Sequence, residues 1–349
     1  MGPGHAAAAL ESWLAITSPM GHFQGRRRMR NIRRFGLGCL LLCAALLMVV
    51  CIRGDFIELI HVPTRQRLIG ATYTTLNDPF YEVINDEIQM QVKSQGDLLL
   101  VRDPGQDQER QNQEIEDMLN KGIQLLILNP VDYEGVVPAL QKAREKGVPV
   151  ILIDSKVDDK SLVTCTITSN NYGAGLLDAR HLISQTKAAN IVLLSNMDSF
   201  SSWDRLSGFC QTLTLSGNDY HILELRDCRG QLERAMQAMK QLLQTFPEID
   251  VVMAVNEQAA LGAMAALEEE GKLSSTLVYS VDGSPEAKSL IAEGMMTATS
   301  AQSPLRIGRT AAEVVYEILD GRPFLTNIVV PVTQITEEDI PRFGTEGWQ

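Results

Sequence analysis

Outside one apolar run, the 349-residue chain holds only three cysteines, Cys165, Cys210 and Cys228, and no CxxC pair. A disulfide framework is thereby excluded, and a single Cys210–Cys228 bridge and free buried thiols stay open as alternatives. Positive charge is also scarce. From Gly54 onward, 24 Lys plus Arg face 42 Asp plus Glu, so the cationic stripe of a nucleic-acid binder is missing. A surplus of this size speaks to solubility and long-range steering rather than to a particular ligand. No G-x-S-x-G elbow, HExxH helix or GxxxxGK[ST] loop occurs. Asp154 and Asp282 could stand as a glycosidase pair, but no general acid accompanies them. No enzymatic activity, cofactor or metal is expected.

What the chain does have begins with residues 35–52, FGLGCLLLCAALLMVVCI, an unbroken apolar run. At about 1.5 Å per residue, a helix of that length just crosses a bilayer. Arg26, Arg27, Arg28, Arg30, Arg33 and Arg34 lie upstream, which predicts a cytoplasmic N-terminus and an extracytoplasmic remainder. No small-x-small site follows the run, and neither Cys39 nor Cys51 sits in a lipobox, so it reads as an uncleaved signal anchor. The expectation is a single-pass protein of the cell membrane. It has an arginine-rich segment over 1–34, a transmembrane anchor over 35–52 and a linker over 53–66.

Beyond the linker, short apolar segments alternate with longer periodic ones. Strands are predicted over 68–73, 97–101, 123–128, 148–153 and 162–168, with helices over 79–94, 108–121 and 133–146. Strands as apolar as IQLLIL at 123–128 are expected when helices cover both faces of a parallel sheet. The pattern then repeats, with strands over 190–195, 221–225, 251–255 and 276–281 and helices over 203–215, 230–245 and 257–270. VILID at 150–154 matches VYSVD at 278–282, and LLILNP at 125–130 matches VMAVNE at 252–257. The fold expected is α/β, two similar Rossmann-like open-sheet lobes. In such sheets ligands sit beyond the carboxyl ends of the strands, where this chain places Asn77, Asp78, Asn129, Asp154, Asn256 and Asp282. Each alone could be a helix cap or turn former. In one register across two halves, they suggest a shared cleft for a hydroxyl-rich ligand.

The order and spacing of TLNDPFY (75–81), ILNPVD (127–132), GVPVILIDS (147–155), SNNYGAG (169–175), RLSGF (205–209), VYSVDGSPEA (278–287) and ATSAQSPLRIG (298–308) carry a resemblance. The chain resembles the periplasmic sugar-binding proteins related to ribose-, galactose- and allose-binding proteins, over about residues 66–340. The resemblance implies the type 1 periplasmic binding protein fold, with two lobes joined by three hinge crossings that close on one sugar. The first lobe would span 67–168, completed by about 304–332; the second would span 172–299. Residues 333–349 would form the last hinge return and a tail near the first lobe. Hinge residues would be Ser169, Asn170, Asn171, Ser300, Ala301 and Thr333.

Carried over by motif, Asp78, Asn129 and Asp154 would bond sugar hydroxyls, and Phe80 and Tyr81 would wall the ring. Arg205, Asn256, Asp282 and Gln302 would complete the contacts. Asn77, Ser155, Trp203 and Asp227 form a second tier of candidates. Many relatives carry Arg where Ser155 stands, which removes a rigid fork of donors. The aromatic that many relatives place early in the second lobe's second unit is absent, because Asp227 or Cys228 occupies that neighbourhood and Trp203 is the substitute at hand. The implied ligand is a monosaccharide or small hydroxylated molecule. The implied partner is an ABC permease, with a sensor such as a histidine kinase or chemoreceptor as the alternative.

Overall fold

The computed structural model describes residues 66–349 and Met48. The span expected over 35–52 otherwise lies outside the described residues, and among those residues no helix is long and apolar enough to cross a membrane. The described architecture therefore consists of two α/β lobes without the expected transmembrane helix, and the signal anchor and single-pass placement at the cell membrane find no support in it.

Strands β1 (Leu68–Thr72), β2 (Leu98–Arg102), β3 (Leu125–Leu128), β4 (Val150–Ile153), β5 (Cys165–Ser169) and β11 (Asn327–Val330) form the first sheet. Its order is β11-β5-β4-β3-β1-β2, and every pairing is parallel. Helices α1 (Pro79–Ser94) and α9 (Pro304–Leu319) build the core on one face, and α2 (Gln108–Asn120) and α3 (Val137–Glu145) on the other. All residues of β3 and β4 are consequently buried, which is why these segments carry no alternating pattern.

The second sheet contains β6 (Ala188–Ser195), β7 (Asp219–Asp227), β8 (Val251–Ala254), β9 (Leu277–Asp282), β10 (Ala298–Ala301) and β12 (Thr333–Thr336). Its order, β12-β10-β9-β8-β6-β7, repeats that of the first sheet. Only β12 runs antiparallel to its neighbour. Helices α4 (Asn171–Gln185) and α5 (Phe200–Ser216) cover one face. The other is covered by α6 (Leu232–Thr245), α7 (Glu257–Glu269) and α8 (Pro285–Ala292). In both lobes the strand order reverses beside the first strand, so a crevice opens at its carboxyl end.

The chain passes between lobes at residue 170, at 302–303 and at 331–332. One buried carboxyl ties these crossings together. Asp178 of α4 accepts from Ser300 Oγ of β10 at 3.0 Å and from Gln334 Nε2 of β12 at 2.9 Å. Helix α4, read from the sequence only as a hinge motif, thus fixes the strands leading to and from the other crossings. Strands β10 to β12 and helices α8 and α9 add to the expected elements, and α9 buries Ile307, Ala311, Val314 and Val315 at helical spacing. Helix α3 begins at Val137, later than expected, because Asp132 folds the preceding residues into a turn by accepting from Glu134 N at 2.9 Å. All three cysteines in this part are free thiols, so the bridge alternative falls away. The tail is divided between lobes. Strand β12 pairs in the second sheet, while the Trp348 ring reaches Phe80 of the first lobe at 6.0 Å.

Helices α4 and α5 cross at two glycines. A Cβ on Gly175 would stand 1.8 Å from Arg205 O, and one on Gly208 would stand 2.0 Å from Tyr172 O. Backbone meets backbone there, and no rotamer change can relieve the contact. In an exposed helix, Gly→Ala stabilises by about 1 kcal/mol. Gly208→Ala is expected to do the reverse, lowering stability by about 1–3 kcal/mol in urea unfolding. A stabilised variant would contradict this packing.

Candidate functional site

Two strand-end turns aim the central carboxylates. Asp154, directly after β4, has φ 63°, and Asp282, which ends β9, has φ 149°. Positive φ in a non-glycine residue is costly and persists only where the surroundings impose it. The two aspartates occupy corresponding places in the two lobes, as the VILID and VYSVD match suggested. Both are buried.

The cap and cleft readings of Asp78 and Asn256 turn out to be compatible. Asp78 Oδ1 accepts from Phe80 N at 3.0 Å and starts α1 ahead of Pro79. Asn256 Oδ1 accepts from Ala259 N at 3.1 Å and starts α7, while its Nδ2 donates to Gly230 O at 3.1 Å. Both side chains also line the cavity between the lobes. Capping by the same groups brings helix N-termini to the cleft.

Arg205 stands at the centre. Its Nε donates to Asn171 Oδ1 at 2.8 Å, and its Nη1 donates to Val255 O at 2.6 Å. These bonds aim Nη2 toward Asp154 Oδ1 of the other lobe, 3.8 Å away. Asp282 Oδ1 lies 4.0 Å from Nη1, accepts from Gln302 Nε2 at 2.6 Å, and its Oδ2 accepts from Glu257 N at 3.3 Å. Tyr81 donates its hydroxyl to Asp154 Oδ2 at 2.8 Å. Three buried polar atoms in this set have no hydrogen-bond partner: Asp154 Oδ1, Arg205 Nη2 and Gln302 Oε1.

The cavity measures about 50 Å³, and eight expected residues line it: Asp78, Phe80, Tyr81, Asp154, Arg205, Asn256, Asp282 and Gln302. The ninth, Asn129, is not among them. Its Oδ1 accepts from Thr74 N at 3.1 Å and from Thr74 Oγ1, and its Nδ2 donates to Ile153 O at 3.1 Å. The amide is engaged in joining the segment after β1 to β4, and Asn129 does not line this cavity. In the second tier, Asn77 lines an adjoining chamber. Ser155 Oγ meets Ser199 Oγ across the lobes at 3.4 Å. Trp203 does not replace the missing aromatic, because its Nε1 donates to Met197 O at 3.0 Å at the lobe edge. Asp227 is exposed and accepts from Met197 N at 3.1 Å. Neither Trp203 nor Asp227 lines the cavity. Reasoning from motifs missed Asn196, Ser199, Ser201 and Ser202. Asn196 directly follows β6 and obeys the strand-end rule that picked out the others.

The lobes are closed on each other. Lys156 pairs with Asp204, Tyr133 N donates to Asp198 O at 3.3 Å, and the Tyr133 and Phe200 rings lie 4.4 Å apart.

Burial raises the carboxyl pKa values throughout. Asp78 is pushed up to about 6 by burial and by the Asp154 charge, against its Phe80 N–H bond and Arg205. Burial also raises Asp154, against the Arg205 charge and the Tyr81 hydroxyl. Asp282 lies well above the usual range through burial and the neighbouring Glu257. A carboxyl whose folded value exceeds its unfolded one stabilises the fold while protonated. That stability is present below about pH 4 and is lost as pH rises through the folded value. The empty protein should therefore lose stability between roughly pH 4 and pH 6. Asp78→Asn should reduce that loss by about 1–2 kcal/mol and raise stability at pH 7. Urea unfolding across the range checks this, and an unchanged slope in the variant would refute it.

Comparison with known proteins agrees with this geometry. Residues 69–323 match the family described as periplasmic binding protein domain. The ribose import binding protein of Bacillus subtilis is 28% identical over 271 residues, covering 77% of this chain and 87% of that protein. The D-allose-binding periplasmic protein of Escherichia coli is 24% identical over 254 residues, covering 70% and 81%. A solved ABC transporter solute binding protein from Mycobacterium smegmatis, with bound glycerol, superposes with TM-score 0.76 at 27% identity. The match covers 81% of this chain and 98% of that one.

Proposed function

The chain belongs to the periplasmic binding protein domain family, a family of binding proteins rather than enzymes. From that premise we propose that it binds a small sugar or polyol outside the cytoplasm and hands it to an ABC permease. One observation carries the reading. Asp154 Oδ1 and Arg205 Nη2 face each other from opposite lobes at 3.8 Å, both buried and both without a hydrogen-bond partner. That gap is too long for a hydrogen bond. A hydroxyl, which donates and accepts at once, bridges the two from beside them by donating to the carboxylate and accepting from the guanidinium. Gln302 Oε1, equally unpartnered, accepts a second hydroxyl.

In this reading Asp78, Asp154 and Asp282 accept from the ligand, and Arg205 and Asn256 donate to it. Phe80 and Tyr81 form the wall against its carbon skeleton. Because Asp154 and Arg205 belong to different lobes, a bridging ligand favours the closed form over an open one. Closure about the three crossings then presents a joint face of both lobes, the feature a permease reads. The relatives described as a ribose import and a D-allose-binding protein support the ligand class.

A thermal-shift screen of the folded protein against monosaccharides and polyols tests the proposal, because a ligand bound only by the native state must raise Tm. At least one compound is expected to do so. Asp154→Asn and Arg205→Met should each weaken its binding at least about tenfold, or about 1.4 kcal/mol. Full affinity in both variants would remove the cleft as the site.

A further inference from the structure

We infer that the ligand of this cleft carries a protonated amine beside its hydroxyls, as in an amino sugar or amino polyol, with the ammonium on the Asp78 side. The inference rests on the cleft being the binding site, as proposed above, and narrows the class of compound that fills it.

Charge and space point the same way. Asp78, Asp154 and Asp282 line the inner cavity, and Arg205 is the sole cationic side chain among its lining residues. The other cations around the cleft are committed elsewhere: Lys156 to Asp204, Arg229 to Asp198, and Arg110 to Glu114. Asp282 is met by Gln302 Nε2 and Glu257 N, and Asp154 by the Tyr81 hydroxyl. Asp78 accepts only from Phe80 N and has no ion-pair partner among the described residues. The neighbouring Glu257 is fully engaged through Gly283 N, Ser284 N and Thr299 Oγ1. Helix N-termini offset only part of the negative charge.

The inner cavity, at about 50 Å³, has room for a water or two and not for a sugar ring in this closed form. Beside it lies a chamber of about 470 Å³ that shares Asp78 and Gly230 with the inner cavity. That chamber is lined by Asp78, Asp103 and Glu233, with Thr75, Asn77 and Gln106 among its polar groups, and by no lysine or arginine. A ligand reaching past Asp78 enters a space whose charged groups are all acidic. A neutral hydroxyl satisfies a carboxylate's lone pair but leaves its charge uncompensated on closure, which carries a cost at the partly buried Asp78. An ammonium brings three donors and the missing charge.

Matched compounds separate charge from shape. Glucosamine, galactosamine and mannosamine, each beside its neutral parent sugar and its N-acetyl derivative, are titrated calorimetrically into the protein at pH 7. The amines are expected to bind at least about tenfold more tightly than both uncharged counterparts. Asp78→Asn should abolish that preference while the fold, followed by circular dichroism, is retained. A parent sugar or N-acetyl derivative that binds as tightly as its amine overturns the inference and leaves the sugar-binding function standing. If neither charged nor neutral compounds bind the folded protein, both fall.

Discussion

The constraint on which the cleft depends is the placement of one guanidinium between two aspartates from different lobes. Arg205 is buried and cannot shed its proton, so its charge must be met where it stands. Asn171 and Val255 O hold two edges of the fork, while Asp154 and Asp282 remain near the limit of ion pairing, at 3.8 and 4.0 Å. A buried ion pair repays its desolvation only with good geometry and full hydrogen bonding. Here the geometry stops short of contact. Any group that bridges the two relieves that cost in the closed form.

The surrounding fold is arranged to keep that gap. Gly175 and Gly208 let α4 and α5 approach backbone to backbone, which sets the height of Arg205 above the second sheet. Asp154 and Asp282 are held at positive φ, so neither turn can relax toward the guanidinium without losing its backbone bonds. Asp154 N donates to Ile167 O at 2.8 Å, and Gln302 N donates to Asp282 O at 2.8 Å. Backbone strain and close helix packing thus serve one end, a set of polar atoms aimed at a space they cannot fill themselves.

Much of the lobes was legible because parallel strands buried on both faces must be apolar throughout, as LLIL at β3 and VILI at β4 are. The strand-end rule found four of the cavity's lining residues, Asp78, Asp154, Asn256 and Asp282, since topology places those positions together whatever else they do. It could not tell Asn129 from Asn256. Both are amides after buried strands, and their difference lies in partners far along the chain, Thr74 and Ile153 for one and Gly230 for the other. Trp203 was illegible for a similar reason, because a backbone carbonyl at Met197 holds its indole at the lobe edge. The serines after β6 were overlooked because small hydroxyls at a helix start carry no pattern of their own; Ser199 is the N-cap of α5, and Ser201 and Ser202 lie in its first turn. The division of the tail depends on Trp348 meeting Phe80, a contact between ends of the described chain that no local pattern encodes.

Ser155 shows how a single departure changes the chemistry of the whole cavity. With the guanidinium that many relatives place there, each of Asp154 and Asp282 would have a cation close by, and Asp78 would be the lone surplus acid. With serine, the first lobe contributes acids and no cation to the cavity, and Ser155 instead meets Ser199 across the lobes. Arg205, from the second lobe, must then serve both strand-end carboxylates. The raised pKa of Asp78 comes first from burial, and the Asp154 charge adds to it. Neutralisation in this cleft therefore comes from a proton or from the ligand. A ligand that supplies the charge also draws the acidic first lobe onto the second. Ligand choice and lobe closure are in that sense set by the same electrostatic deficit.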